Sequence, residues 1–543
     1  MEDLEVRQTH LSRLFFTSDR VYKQLKPVDT PFVSFADVDD RIVAATEEFE
    51  LNYRLAPDVY LGLADVEERG DLADRMIVMR RLPDDRELVH HLAEAGASSP
   101  SDAEAILRDV AKHVAAVHLA EPAIEGDDAA MATAHTVRTR WQENFEALEP
   151  LAGNVIDAQE FAEVVDLAER YLGGRSVLFA ERIDQGWVRD GHGDLRAEHV
   201  YCLDDGPRLI DCLAFRRDFR VGDVLNDVAF LAMDLHRLFG PYAAAVLMRY
   251  YHEFTNEHHQ ATLAHHYVAY RAHVRAKIAA IRLSQGDVDA AREARQYHRL
   301  ARQHLDVGRV RLVLVGGQVG VGKSAVAEGL AAHLGITWLR TDEIRRTTSS
   351  GDPSGDSGAP VVTYDRAARD EVYLEMLREA RALLTRGESV VMDATWSTDQ
   401  HREWARELAF QAEAELVEVE VKLPVEEAIE RIVIRQRSGD DPSDATPELA
   451  RDLVALFEPW PEAIAIGNSG PIEASVVQAR DVVLGRRSTD IPAGLDVAAQ
   501  DVADLTWPER RVVVAVGGAE VLNYESIRFY LRRATHLIPS SRD

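Results

Sequence analysis

The sequence predicts a multidomain protein that joins an α+β half to an α/β half. Residues 309–486 alternate short apolar runs with helical stretches, the order that builds a parallel sheet. One of those runs, Leu312 to Val315, leads into a glycine-rich loop and then a helix, AVAEGLAAHLG. Residues 1–306 instead place short strands near the start and long Ala-, Leu- and Glu-rich helical stretches after them.

Within residues 1–92, the pair FF, a turn at Thr17-Ser18-Asp19 and then VYKQL read as a hairpin. Residues 39–56 read as a helix that ends before Pro57. Residues 76–83, MIVMRRLP, read as a strand followed by a break. Residues 93–306 are mostly helical. They are interrupted at 187–215, where a loop leads to two short strands joined by Asp205-Gly206-Pro207. The polar run DVDAAREARQYHRLARQHL reads as a helix with a solvated face. In the α/β unit, 309–486, strands are expected at 336–340, 389–393 and 416–423, and helices at 367–386 and 425–436. The segment SSGDPSGDSGAP (349–360) reads as a flexible loop. Residues 487–543 read as a linker to 506 and then a tail with one strand candidate, RRVVVAVGG.

A length of 543 residues suggests roughly three or four domain-sized units. The net charge of −31 argues against general nucleic-acid binding, because phosphate backbones would be repelled. Cys202 and Cys212, the two cysteines, are too few for a disulfide framework and suit a reducing cytosol. The start, MEDLEVRQTH, lacks a basic-then-apolar signal pattern, and no apolar run approaches the roughly 18 residues of a membrane span. The expectation is a cytoplasmic protein without a membrane segment. Oligomeric state is not legible.

Residues 317–324, GQVGVGKS, fit GxxxxGK[ST] between a strand and a helix. In such a loop Gly317, Gly320 and Gly322 let the backbone turn tightly and aim N–H groups at phosphate oxygens. The helix start adds partial positive charge. Lys323 would reach the β/γ-phosphates and the Ser324 hydroxyl would hold Mg²⁺. Asp342 follows the strand TWLRTD, where it could act as general base toward an acceptor hydroxyl; a helix N-cap is the alternative reading. Asp393 ends the strand SVVMDATW and could position Mg²⁺ through water. Arg431 and Arg435 share one helical face. They could clamp a transferring phosphate, or be ordinary salt-bridged surface arginines.

A second constellation lies earlier. Asp194 ends the loop His192-Gly193-Asp194, and Asp211 follows seventeen residues later in RLIDC. Two carboxylates so delivered could orient an acceptor hydroxyl and hold Mg²⁺ on nucleotide phosphates; a surface turn is the alternative. HGDLRAEHVYCLDDGPRLIDCLAF resembles the catalytic loop of aminoglycoside phosphotransferase-like kinases, HGDxxxxN followed by a hydrophobic-Asp motif. The resemblance implies a bilobal, protein-kinase-like fold, with 1–92 as its N-lobe and 93–306 as its helical C-lobe. It makes Asp194 the catalytic base and Asp211 the main metal ligand. The pattern's Asn falls on His199, and an imidazole is a poorer partner for hard Mg²⁺ than an amide oxygen. Lys23 matches the strand lysine that touches ATP phosphates, with Lys26 as rival, and Glu48 matches its ion-pair partner. A glycine-rich loop is absent, so the hairpin THLSRLFFTSD would cover the phosphates. Asp223 and Asp227 fall where such kinases brace the catalytic loop.

GxxxxGKS, TDEIRR, DATW and the arginines of RIVIRQR together resemble P-loop kinases of the zeta-toxin-like, polynucleotide-kinase-like and small-molecule group, over about residues 310–486. The tandem order resembles bacterial two-domain ATP-binding proteins. The resemblances imply an ATP- (or GTP-) and Mg²⁺-dependent phosphotransferase acting on a hydroxyl of a small polar acceptor such as a sugar, aminoglycoside-like compound or nucleoside. The alternatives are a ligand-regulated ATPase with an N-terminal sensor, and a zeta-toxin-like nucleotide-sugar kinase.

Overall fold

The computed structural model describes residues 5–9, 11–29, 34–68, 71–349, 366–438 and 457–485. Of the expected loop at 349–360, Ser349 ends a helix; the rest of it, the linker and the tail lie outside these residues.

The chain opens with an antiparallel sheet of β1 (Glu5–Gln8), β2 (Ser12–Phe16), β3 (Arg20–Leu25), β4 (Tyr60–Glu68) and β5 (Asp71–Arg80), ordered β1-β2-β3-β5-β4. The hairpin expected around Thr17–Asp19 joins β2 to β3. β1 was not foreseen, because EVRQ is polar and alternates half-buried with exposed residues on an edge strand. Helix α1 (Val38–Leu55) is started by Asp37, whose carboxylate accepts the Asp39 N–H. Its buried residues Arg41, Ala45, Glu48, Asn52 and Leu55 recur every three or four positions and face the sheet.

Then come α2 (Leu88–Ser98), α3 (Pro100–Ala120), α4 (Ala134–Leu148), α5 (Ala158–Gly174) and α6 (Ser176–Asp184). A short pair, β6 (Val188–Asp190) with β9 (Val221–Asp223), brackets the hairpin β7 (Val200–Leu203) and β8 (Gly206–Leu209) and the single turn α7 (Arg217–Arg220). Helices α8 (Val224–Phe239), α9 (Pro241–Thr255), α10 (Ala261–Ser284) and α11 (Ala290–Val307) complete this lobe. α8 is buried nearly all round, from Val224 to Leu235. α11 is more than a solvated helix. It buries Tyr297, His298, Leu300, Ala301 and His304 against its neighbours.

The α/β part is a five-stranded parallel sheet ordered β11-β12-β10-β13-β14. Its strands are β10 (Arg311–Gly316), β11 (Thr337–Arg340), β12 (Val390–Asp393), β13 (Glu415–Lys422) and β14 (Ile464–Gly467). The helices are α12 (Lys323–Leu334), α13 (Thr341–Ser349), α14 (Arg366–Thr385), α15 (Asp399–Gln411), α16 (Val425–Ser438) and α17 (Ile472–Val483). β10 is central and fully apolar from Leu312 to Val315, as a strand covered on both faces requires.

The helical lobe abuts the parallel sheet at the N-terminal ends of its strands. The buried Arg175 donates to the carbonyls of Ala412 (2.6 Å) and Glu413 (3.2 Å), just before β13. Thr262 donates to Gly387 O at 2.6 Å, just before β12. Arg386 pairs with Glu181 at 2.7 Å. One apolar core runs through this junction, from Tyr171 and Leu305 to Leu312 and Val390.

Candidate functional site

The P-loop lies at the opposite, C-terminal end of the parallel sheet. Gly317, Gly320 and Gly322 have φ of 141°, 86° and 87°. All three are also sterically fixed, a Cβ on Gly320 falling 2.8 Å from Ala428 O. A Cβ on Gly317 would lie 2.5 Å from Val421 O, and one on Gly322 would lie 2.4 Å from Asn468 Nδ2. Lys323 and Ser324 begin α12, so N–H groups free of helical partners face the loop. Asn468 follows β14 and clamps the loop by donating from Nδ2 to Val321 O at 2.8 Å. Ser475 Oγ holds Asn468 Oδ1 at 2.9 Å, and Arg431 donates to Asn468 O at 2.6 Å. Arg431 is thereby held beside the phosphate loop. Arg435 lies further along α16, and its side chain is outside the described ones. Asn468 carries no sequence motif; only its place just after an apolar run hinted at it.

Asp393, at the end of β12, is in register with Val315 of β10 and Arg340 of β11. It is buried, lies beside Ser324 and Lys323, and has Arg340 Nε at 3.9 Å. Its Oδ1 has no hydrogen-bond partner among the described residues. Burial raises its pKa against the pull of Lys323 and Ser324. An orphaned carboxylate oxygen next to a hydroxyl is a donor set that fits hard Mg²⁺. Asp342 sits in the first turn of α13, which begins at Thr341. Its side chain is 38% exposed and lies 3.4 Å from Arg345.

In the N-terminal site, Lys23 of β3 reaches both Glu48 of α1 (2.6 Å) and Asp211 (2.5 Å). Burial alone would lower the Lys23 pKa, but the carboxylates of Asp211 and Glu48 drive it well above its ordinary value. Lys26 instead donates to Thr9 O at 2.5 Å. Asp211 is not within a strand: β8 ends at Leu209, and Asp211 adopts φ 62°. The Tyr60 hydroxyl accepts its N–H at 3.0 Å, and Asn52 pairs with the backbone of Cys212. Asp227 accepts the N–H groups of His192 (2.7 Å) and Gly193 (2.9 Å) and lies 3.1 Å from His118 Nε2. It braces the loop that carries Asp194.

Asp194 is engaged by Arg196, a residue sequence reasoning passed over although it lies two positions away. Arg196 Nε and Nη2 meet the two Asp194 oxygens at 3.0 and 2.9 Å, and its Nη1 contacts Glu198. Burial would raise the Asp194 pKa, but the Arg196 guanidinium outweighs it and holds the carboxylate below its usual range. His199 is buried between the two carboxylates. Its Nδ1–H donates to Asp194 O at 2.7 Å, which leaves Nε2 as the acceptor. That Nε2 takes an Arg196 N–H at 3.2 Å and lies 3.6 Å from Asp211 Oδ2. Asp211 suits a hard cation; an imidazole already shared with Arg196 does not.

The class follows from these features. An N-terminal domain sets a strand lysine against a helix glutamate and a hydrophobic-Asp motif, as protein-kinase-like and aminoglycoside phosphotransferase-like folds do. A P-loop kinase-type domain follows it. The family model described as "AAA domain" matches residues 312–460. The Mycobacterium tuberculosis protein Rv2004c is 37% identical over 484 residues, spanning 88% of this chain and 94% of that protein. The Mycobacterium bovis protein Mb2027c matches equally. The chain belongs to the family of these two mycobacterial proteins. A Salinispora tropica adenylate kinase is 36% identical over 85 residues, 16% of this chain and 39% of that one. Among solved structures, the GDP and kanamycin complex of APH(2")-IIia is 14% identical and covers 56% of this chain and 93% of its own, with a TM-score of 0.39. A Sinorhizobium meliloti gluconokinase is 21% identical and covers 33% and 92%, with a TM-score of 0.24. Among the described residues no helix is long and apolar enough to cross a membrane.

Proposed function

We propose that the chain is an ATP- or GTP-dependent phosphotransferase whose P-loop domain transfers a γ-phosphate to a hydroxyl of a small polar acceptor. The observation that carries this reading is the buried Asp393, with one orphaned oxygen, set against Ser324 and Lys323. Lys323 and the loop N–H groups bind and orient the phosphates. Ser324 directly, and Asp393 through water, would hold Mg²⁺, which when bound neutralises phosphate charge. Arg431 stabilises charge on the transferring group, joined by Arg435. Asp342 orients the acceptor hydroxyl and takes its proton.

In the N-terminal domain Lys23, positioned by Glu48, would touch nucleotide phosphates, Asp211 would hold Mg²⁺, and Asp194 would be the base. A second reading, in which this domain senses a ligand and regulates the P-loop domain, is favoured by the two-pronged Arg196–Asp194 pair and by His199 at the metal position. The test is nucleotide turnover by wild type, Lys323→Ala and Asp194→Ala against sugars, aminoglycosides and nucleosides. Acceptor-stimulated turnover lost in Lys323→Ala supports the P-loop assignment. Stimulation unchanged in that variant contradicts it. Turnover intact in Asp194→Ala favours the sensor.

A further inference from the structure

Away from both phosphate sites, the chain leaving α9 builds another polar cluster. Asn256 caps α9 in the left-handed conformation, φ 50°, and donates its N–H to His252 O at 2.9 Å. That turn folds residues 257–259 back onto the last turn of the helix. One ligating atom from each of His252, Glu257 and His259 then lies within 4.8 Å of the other two. Glu257 is fully buried. Arg182 of α6 contacts its Oε1, and His259 Nδ1–H donates to its Oε2 at 2.7 Å. Arg182 thus holds one oxygen and leaves the other facing the imidazoles. His252 Nδ1 is buried with no hydrogen-bond partner among the described residues. The exposed His258 ring stands edge-on to the His252 ring, centroids 5.1 Å apart.

Charge balance leaves room for a cation. Arg182 also forms a two-pronged pair with the buried Asp223, at 2.7 and 2.8 Å. Two carboxylates therefore share one guanidinium in a space with almost no water contact. Tyr267 adds a hydrogen bond to Asp223 at 3.3 Å but no charge. With His259 neutral the cluster is one positive charge short; a proton on His259, 2.7 Å from Glu257, or a bound cation supplies it. Two imidazoles converging with a carboxylate suit Zn²⁺ and similar borderline ions rather than Mg²⁺.

We propose that His252, Glu257 and His259 form a binding site for a divalent transition-metal ion of the zinc class. The ion supplies the missing charge and ties the α9–α10 turn to α6. Its effect reaches the catalytic loop indirectly. Asp223 accepts the Leu225 N–H at 2.9 Å and starts α8, the helix that carries Asp227.

The test uses the full chain, purified without a metal-affinity tag and stripped with a chelator. Zinc is titrated in competition with a chromophoric chelator, and Co²⁺ is added separately to read its visible absorption. Wild type should take up one tight equivalent, show a tetrahedral-type cobalt band, and melt at higher temperature with zinc. His252→Gln with His259→Gln should lose all three responses while keeping its circular dichroism. If that pair fails to fold, His252→Gln alone should weaken zinc binding by about tenfold or more. No tight equivalent in wild type overturns the proposal. Equal stoichiometry and an equal cobalt band in the folded variants overturn it as well.

Discussion

The two candidate sites differ in what they hold before any ligand arrives. In the N-terminal site almost every charge is already matched: Lys23 with Glu48 and Asp211, and Asp194 with Arg196. At the P-loop, Asp393 is buried with an oxygen unmatched, and Arg431 spends its contact on the backbone of Asn468. A closed ion-pair network must be opened by a ligand. An unsatisfied one gains when the ligand binds, because a buried polar atom without a partner is costly. The difference teaches that two kinase-type sites in one chain need not respond equally to nucleotide. The helical lobe abuts the strand starts, while the P-loop lies at the strand ends.

The largest expected effect is at the open site. Lys323→Ala should reduce P-loop-dependent nucleotide turnover by about 100-fold or more, read in a steady-state assay. An equal loss from Lys23→Ala would erase the contrast between the sites. Next is the brace of the closed site. Asp227→Ala leaves two backbone N–H groups and His118 without their buried acceptor, and should cost about 3 kcal/mol in urea unfolding. Asp227 is held below its ordinary pKa: burial raises it, but His118, His192 and Arg271 prevail. Its stabilisation is therefore present above about pH 4 and is lost as pH falls toward the folded value. In Asp227→Ala the stability profile should be flatter below that pH.

Arg196→Met removes the cation that holds Asp194 low. The acid limb of any Asp194-dependent turnover should then move up by about one pH unit. An unmoved limb would separate Arg196 from the base. The smallest effect concerns Glu87, buried near Glu198, Asp84 and Asp234. Burial first, then those carboxylates, push its pKa up to about 8. A folded value above the unfolded one means that stability falls as pH rises from about 4.3 toward 8. Glu87→Gln should remove that slope and raise stability at pH 8 by about 1 kcal/mol or more.

How much of this was legible depended on whether chemistry was local. GQVGVGKS declared itself because strand, glycines and helix start are contiguous. Asp393 and Asp342 were singled out because strand ends in a parallel sheet converge on one edge. Lys23, Glu48, Asp194 and Asp211 came from a motif resemblance, and their meeting depends on contacts up to 188 residues apart. No periodicity encodes such contacts. Arg196 was passed over because an arginine beside two acids reads as an ordinary solvated charge. Asn468 was passed over because an Asn after a short strand reads as a turn. β1 was missed because an edge strand needs no apolar face. The zinc-class cluster needed the left-handed turn at Asn256, which sequence spacing alone does not fix. Cys202 and Cys212, too few for a disulfide framework, are both free thiols. Both are buried, and burial pushes each thiol up to about 12, far from reactive thiolate.

The most direct measurement is nucleotide stoichiometry by calorimetry with Mg²⁺ and a non-hydrolysable ATP analogue. The account predicts two separable sites on wild type, the tighter lost in Lys323→Ala and the weaker lost in Lys23→Ala. A single site in wild type, or a tighter site that survives Lys323→Ala, would contradict it.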